Sequence, residues 1–343
     1  MKKIITFTGI LISLFLITSC VTQETGQSLE QISESEDLNE KLIDRPMEPS
    51  EEEGIQVTST GVKYLVHPSK IIGGGPPKDG IPSIDKPRFN PLPGIAWIED
   101  NELVLAIEYK GVKRVYPLQI MVWHEIVNDV IAGDPVLITY CPLCGSGIAY
   151  ERTIEVDGER VEVEFGTSGK LYNSNLVMYD RLTDTYWTQI EGKAIVGELT
   201  GQELKEISID TVVWRDYKDE NQNAEVLSRS TGYVRNYGRD PYGNYYENSF
   251  LLFPVEDEDD RIHPKTIIFG IEVNGAYKAY MESDLTEKGE IIDVVNGVNV
   301  KVERSSEGIV KVTNLDNDEE IIKERDMWFA WYAFHPETEL YEG

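Results

Sequence analysis

The sequence predicts a β-rich α+β fold, with mostly antiparallel sheets, few short helices and two related β-units. Three observations carry that expectation. Short apolar runs at 103–107, 136–140, 161–165 and 267–271 have the length and residue types of strands, and glycine and proline punctuate the stretches between them. Helical spacing is best seen at 117–130, where Ile120, Trp123, Val127 and Val130 recur behind Pro117, a residue suited to a first turn. A pattern also returns along the chain. Ile107-Glu108-x-x-Gly111-x-x-Arg114-Val115-Tyr116 is matched by Ile271-Glu272-x-x-Gly275-x-x-Lys278-Ala279-Tyr280, an offset of 164 residues. Glu125-Ile126-Val127 and Gly133 find counterparts in Glu290-Ile291-Ile292 and Gly297, so residues about 103–140 and 267–302 are expected to form similar strand–turn–strand units.

The N-terminus reads as an export signal. Lys2 and Lys3 precede an apolar run over 4–17, which ends in Leu16-Ile17-Thr18-Ser19-Cys20. The run is shorter than the ~20 residues a spanning helix needs. Its ending is similar to a bacterial lipobox, which implies cleavage after residue 19 and lipid, palmitate included, on Cys20. Residues 20–60 follow as a tether. Between Val21 and Thr60 there are eleven acids, two bases (Lys41 and Arg45) and no aromatic residue, too little apolar surface to offset ordering entropy. Residues 61–343 are expected to form one globular domain. The net charge of −29 argues against nucleic acid and against direct docking on anionic lipid, which leaves the N-terminal lipid as the membrane contact. Neither a protein nor a small-molecule partner is identified by composition.

The sharpest motif is Cys141-Pro142-Leu143-Cys144-Gly145. Two thiols at this spacing can grip one soft metal, shuttle electrons, or close an inert disulfide. A thioredoxin-like site needs the first cysteine at a helix start, whereas Gly145-Ser146-Gly147 and an apolar strand follow here. As a knuckle, the pair would supply two ligands for copper or zinc and require others from elsewhere. His124 and His335 are the candidates. With 117–130 helical, His124 lies ~10 Å back along the helix, and Cys141 lies ~25 Å along the returning strand. His335 ends the run 328–334, which is apolar on both faces as a central strand would be, so it is the better placed of the two. As a plain disulfide the pair would close a very short loop and stabilise little.

A second rich stretch runs from Phe165 to Gln189. Ser168, Asn173, Asn175, Asp180 and Gln189 stand among aromatics, as in a polar pocket or in a buried amide network between strands. Gly166-Thr167-Ser168-Gly169-Lys170 lacks the Walker spacing and the Gly-x-Ser-x-Gly elbow, so neither a phosphate loop nor a serine nucleophile follows. Residues 240–244 are turn chemistry, and 256–260 read as a solvated acidic loop.

Several of these segments together resemble one family. Tyr116-Pro117-Leu118, Trp123-His124-Glu125-Ile126-Val127-Asn128-Asp129, Thr139-Tyr140-Cys141-Pro142-Leu143-Cys144-Gly145 and Phe165-Gly166-Thr167-Ser168-Gly169 match the domain-of-unknown-function 3179 proteins. So do the stretch from Tyr172 to Arg181, Trp187-Thr188-Gln189, Asp240-Pro241-Tyr242 and Phe334-His335-Pro336. The likeness covers roughly 65–340. It implies a single domain, often exported, and no settled activity. The functional expectation is therefore a lipoprotein anchored at the extracytoplasmic face of the cell membrane, with a Cys141/Cys144 site for copper or zinc. The alternatives are a thiol–disulfide oxidoreductase, and a non-catalytic binding module with an inert disulfide.

Overall fold

Residues 54–343 are described by a computed structural model and belong to one compact unit. The signal segment, Cys20 and most of the tether lie outside the described residues. Strands dominate, and the described α-helices have at most seven residues. No helix among the described residues is long and apolar enough to cross a membrane. Pairing is antiparallel almost throughout, as the sequence predicts. The exceptions include Glu225–Leu227 beside Val112–Pro117 and Glu339–Leu340 beside Ala276–Met281, both parallel.

The two stretches matched in sequence adopt the same order of elements. Leu103–Tyr109 pairs with Val112–Pro117, a short helix Leu118–Met121 follows, and Ile126–Ile131 then pairs with Asp134–Cys141. In the second stretch Ile267–Val273 pairs with Ala276–Met281, helix Glu282–Lys288 follows, and Glu290–Val295 pairs with Val298–Arg304. Equivalent residues make equivalent bonds. The Tyr116 hydroxyl donates to Asp129 at 2.5 Å, and that of Tyr280 to Asp293 at 3.1 Å. Arg114 pairs with Asp129 at 2.6 Å, and Lys278 with Asp293 at 2.9 Å. Each aspartate also accepts the backbone N–H of the next residue, Val130 or Val294.

The correspondence continues further along the chain. Asp210–Val213 closes on Leu103–Tyr109 and leads into helix Trp214–Lys218; Lys323–Met327 closes on Ile267–Val273 and leads into helix Trp328–Phe334. From Trp214 to Trp328 the offset is 114 residues, not 164, so the first stretch carries about fifty extra residues before its closing strand. That extra length includes the sheet holding Phe165–Tyr172, Asn175–Asp180, Tyr186–Thr188 and Ala194–Val196.

Two expected elements change. The helix expected over 117–130 ends at Met121, and Ile126–Ile131 is a strand. Ile126, Val127, Val130 and Ile131 are β-branched, and Ala132-Gly133, both at positive φ, turn the chain straight back onto Asp134–Cys141. The run expected as a central strand, 328–334, is a helix. Five of its seven residues are buried, and an element apolar all round gives no period by which to tell helix from strand.

Candidate functional site: the Cys141–Cys144 turn

Cys141 ends one strand and pairs with Ser146, which starts the next, so 142–145 form a tight hairpin loop. Proline suits the loop because its fixed φ pre-sets the bend, and Gly145 takes φ 63°, where a Cβ would be strained and would press on Met327. The loop is held on three sides. The Cys144 carbonyl accepts from the Met327 N–H at 2.8 Å, and the Leu143 carbonyl accepts from the Tyr245 hydroxyl at 3.0 Å. The third support is a second tight turn, Asn173-Ser174, with both residues left-handed as a two-residue hairpin loop requires. Its Ser174 carbonyl lies 3.5 Å from the Cys144 sulfur, and Asn175 donates to that sulfur at 3.5 Å.

Both cysteines are free and buried, their sulfurs 3.3 Å apart. The proton affinities of the two thiols diverge. Burial works to raise Cys141, but the Cys144 thiol and the backbone N–H groups around the turn outweigh it, and its pKa falls below the usual thiol value. Cys144 is pushed well above that value by burial and by its partner sulfur. Glu125 stands behind the pair, at φ 59° and buried, and its carbonyl accepts the Tyr140 N–H at 2.8 Å. Burial, and then the charge of Cys141, hold the Glu125 carboxyl well above the ordinary range. Tyr242, Tyr245 and Tyr246 pack over the turn as part of the irregular segment 228–266, Tyr245 and Tyr246 edge to face and Tyr242 tilted against both. Lys265 fastens that segment. Its ammonium lies 3.4 Å from the Tyr245 ring centre and donates to the carbonyls of Tyr245 and Phe250. A cavity of about 460 Å³ opens beside the turn, between Tyr140, Gly145, Tyr246, Lys265, Arg325 and Met327.

The family follows from the sequence that builds this turn. The family model described as Protein of unknown function (DUF3179) matches residues 78–338, which include both strands of the cysteine hairpin, the Asn173-Ser174 turn and the tyrosine segment. The chain belongs to the DUF3179 family. No curated protein and no solved structure matches it. The match covers most of the described residues, and within it lie all the residues named in this turn.

The structure does not assemble the expected copper or zinc shell. His124 engages both ring nitrogens elsewhere, with Nδ1–H donating to the Pro82 carbonyl and Nε2 accepting from the Tyr237 hydroxyl, both at 2.7 Å. Burial lowers its pKa to about 4, so it is neutral at pH 7. His335 stacks on Tyr277, with ring centres 4.1 Å apart, and lines a different cavity. Among the described residues no three His, Cys, Asp or Glu side chains come together as a metal group. The reason lies in the two changed elements, because both histidine placements assumed a helix or strand that is not there.

The five residues expected around a polar pocket are buried and hydrogen-bonded within the protein, and Asn175 and Gln189 form a small network. Ser168 donates to the Val177 carbonyl, Asn173 bonds Ala333 and Glu256, and Asp180 holds Thr183 and Trp187. Asn175 and Gln189 bond each other, and Gln189 continues to Thr139 at 3.0 Å. Hydrogen bonds engage these polar atoms within the protein, and through Asn175 the network steadies Cys144. Glu125, Lys265 and the tyrosine segment escaped the sequence reading as site residues. Glu125 stood inside a family motif, but nothing in its spacing announced that it would lie behind Cys141.

Proposed function

We propose that the chain is an exported redox protein whose Cys141–Cys144 pair exchanges between dithiol and disulfide with a low-molecular-weight thiol. The observation that carries this reading is the unequal pair. One thiol is inclined to ionise, the other is inclined to keep its proton, and the sulfurs are 3.3 Å apart. Thiolate is the attacking species in exchange, and a neighbouring thiol resolves the mixed disulfide. The Cys141 thiolate attacks one sulfur of a small disulfide and expels the first thiolate. Cys144 loses its proton, attacks the Cys141 sulfur and expels the second. The two protons released by the pair end on the two leaving thiols. Glu125, held in its protonated form by burial, keeps a second negative charge away from the Cys141 thiolate. A small partner is favoured because Tyr242, Tyr245 and Tyr246 cover the turn, and sulfurs so buried exclude a protein substrate unless segment 228–266 lifts.

This reading includes the lipid anchor on Cys20, with the tether holding the domain away from the extracytoplasmic face of the membrane. It also includes a common origin for the two β-units, supported by their matched tyrosine–aspartate–cation triads. Equilibration with mixtures of reduced and oxidised glutathione, then acid quench and alkylation, tests the redox role. A single two-electron transition is expected, and Cys144→Ser should accumulate a glutathione adduct on Cys141. If the native pair alkylates identically at every poise, the exchange reading fails. If zinc or copper co-purifies and is lost in Cys141→Ser, a metal role replaces it.

A further inference from the structure

A second cavity, of about 300 Å³, lies on the face of the Lys323–Met327 strand that carries Glu324. Side chains two apart on a strand share a face, so Asp326 stands next to Glu324, and Glu206 approaches from the neighbouring sheet. The cations nearby are already paired. Lys193 holds Glu203 at 2.8 Å, Lys323 holds Asp210 at 3.0 Å, and Arg325 holds Glu282 at 3.0 Å. Glu206 and Glu324 therefore line the cavity with no ion pair of their own among the described residues, and Asp326 lies against Glu324. One Glu324 oxygen is buried with no hydrogen-bond partner, while Asp326 lies close to Ser146 and Glu324. Burial pushes Glu206 up to about 8 and Asp326 up to about 6, against the opposing charges of Lys323 and Arg325.

The independent observation is His335. It is only 9% exposed, lines this cavity, and its Nε2 has no partner. Burial lowers its pKa to about 4, so the ring is neutral and has an acceptor to offer. Tyr277 stacks on it, and the Trp331 ring centre is 4.2 Å from its own, which gives the cavity an aromatic wall. The first β-unit supplies an internal control. Asn221 stands where His335 does and Lys113 where Tyr277 does. There Asn221 accepts from Lys113 at 2.6 Å and donates to Glu307 at 2.6 Å, leaving nothing open. The same scaffold thus closes its position in one copy and leaves an acceptor, aromatic rings and carboxyls facing a cavity in the other.

We propose that this cavity binds a small organic cation bearing N–H donors, an amine or a guanidinium. Glu206 and Glu324 accept from the charged nitrogens, the neutral His335 Nε2 accepts a further N–H, and Tyr277 and Trp331 offer ring faces to the cation. A cavity of this volume is at the small end of ligand sites and larger than an ion requires. The donor set also favours an organic ligand, since no three ligating side chains converge as a metal group among the described residues.

The test is calorimetric titration of the full chain with agmatine, choline and calcium chloride. Agmatine should bind at one saturable site and choline, which has no N–H, at least ~10-fold more weakly, a difference of ~1.4 kcal/mol. Glu206→Gln and His335→Phe should each weaken agmatine by a similar factor. Glu206 is only half-buried, so its variant keeps the test decisive if His335→Phe fails to fold. Absence of saturable agmatine binding, choline binding equally well, or unchanged affinity in Glu206→Gln would each overturn the proposal. Calcium binding that agmatine cannot displace would overturn it in favour of a metal.

Discussion

Replacing Asn175 by alanine should loosen the support of the cysteine turn, by an amount that follows from its bonds. The side-chain oxygen accepts the N–H groups of Gln189 at 3.1 Å and Ile190 at 3.2 Å. Its amide donates to the Gln189 side chain at 2.8 Å and to the Cys144 sulfur at 3.5 Å. The Gln189 N–H also reaches the Leu176 carbonyl at 3.1 Å and keeps a partner after the change. The Ile190 N–H bonds the Asn175 oxygen, so alanine leaves it buried and unpaired, a loss of ~1–3 kcal/mol. The lost amide–amide bond adds ~1 kcal/mol, and the sum is about 3 kcal/mol. Urea unfolding under reducing conditions, compared at equal m-value, measures it. Asn175→Asp keeps the oxygen that serves Ile190 and should lose less. It also removes a donor that stabilises the Cys144 thiolate, so Cys144 should alkylate more slowly even where the fold is retained. A loss below ~1 kcal/mol in Asn175→Ala would refute the view that this network braces the turn.

Other outcomes follow from the same geometry. Tyr116→Phe should destabilise by ~2 kcal/mol, because its hydroxyl bonds a buried carboxylate. Tyr280→Phe should lose about half that, since its bond to Asp293 is longer and only part-buried; equal losses in denaturant titrations would contradict the reading. Glu206 has a folded pKa raised from 4.5 to about 8, so the folded state binds the extra proton between those values, and stability falls as pH rises through that window. Glu206→Gln should therefore stabilise the protein at pH 8 and change little at pH 4.5, and a difference independent of pH in urea midpoints would exclude the effect. Cys20→Ser should release the protein from the membrane fraction, which is checked by fractionation and by the mass of the N-terminal peptide.

Much of this protein was legible in local sequence because local geometry dictated it. Strand runs such as 103–107 and 267–271 declared themselves by their short length, their β-branched and apolar residues and the turn residues that bound them. Glycine turns at Gly111 and Gly275 did so because positive φ is cheap only for glycine. The Cys141–Cys144 spacing ensured that two sulfurs would share one tight turn. Tertiary structure decided the rest. The β-branched residues of 126–131 leaned toward strand but pairing with 134–141 decided it, and 328–334, apolar all round, carried no period to tell strand from helix. The positions of His124 and His335 hung on those two outcomes. The approach of Glu206, Glu324 and His335 to one cavity was invisible because desolvation, which raises the carboxyls and keeps the imidazole neutral, is a property of the packed chain. Their sequence separations are set by chain topology, and the physics that joins them acts only across space.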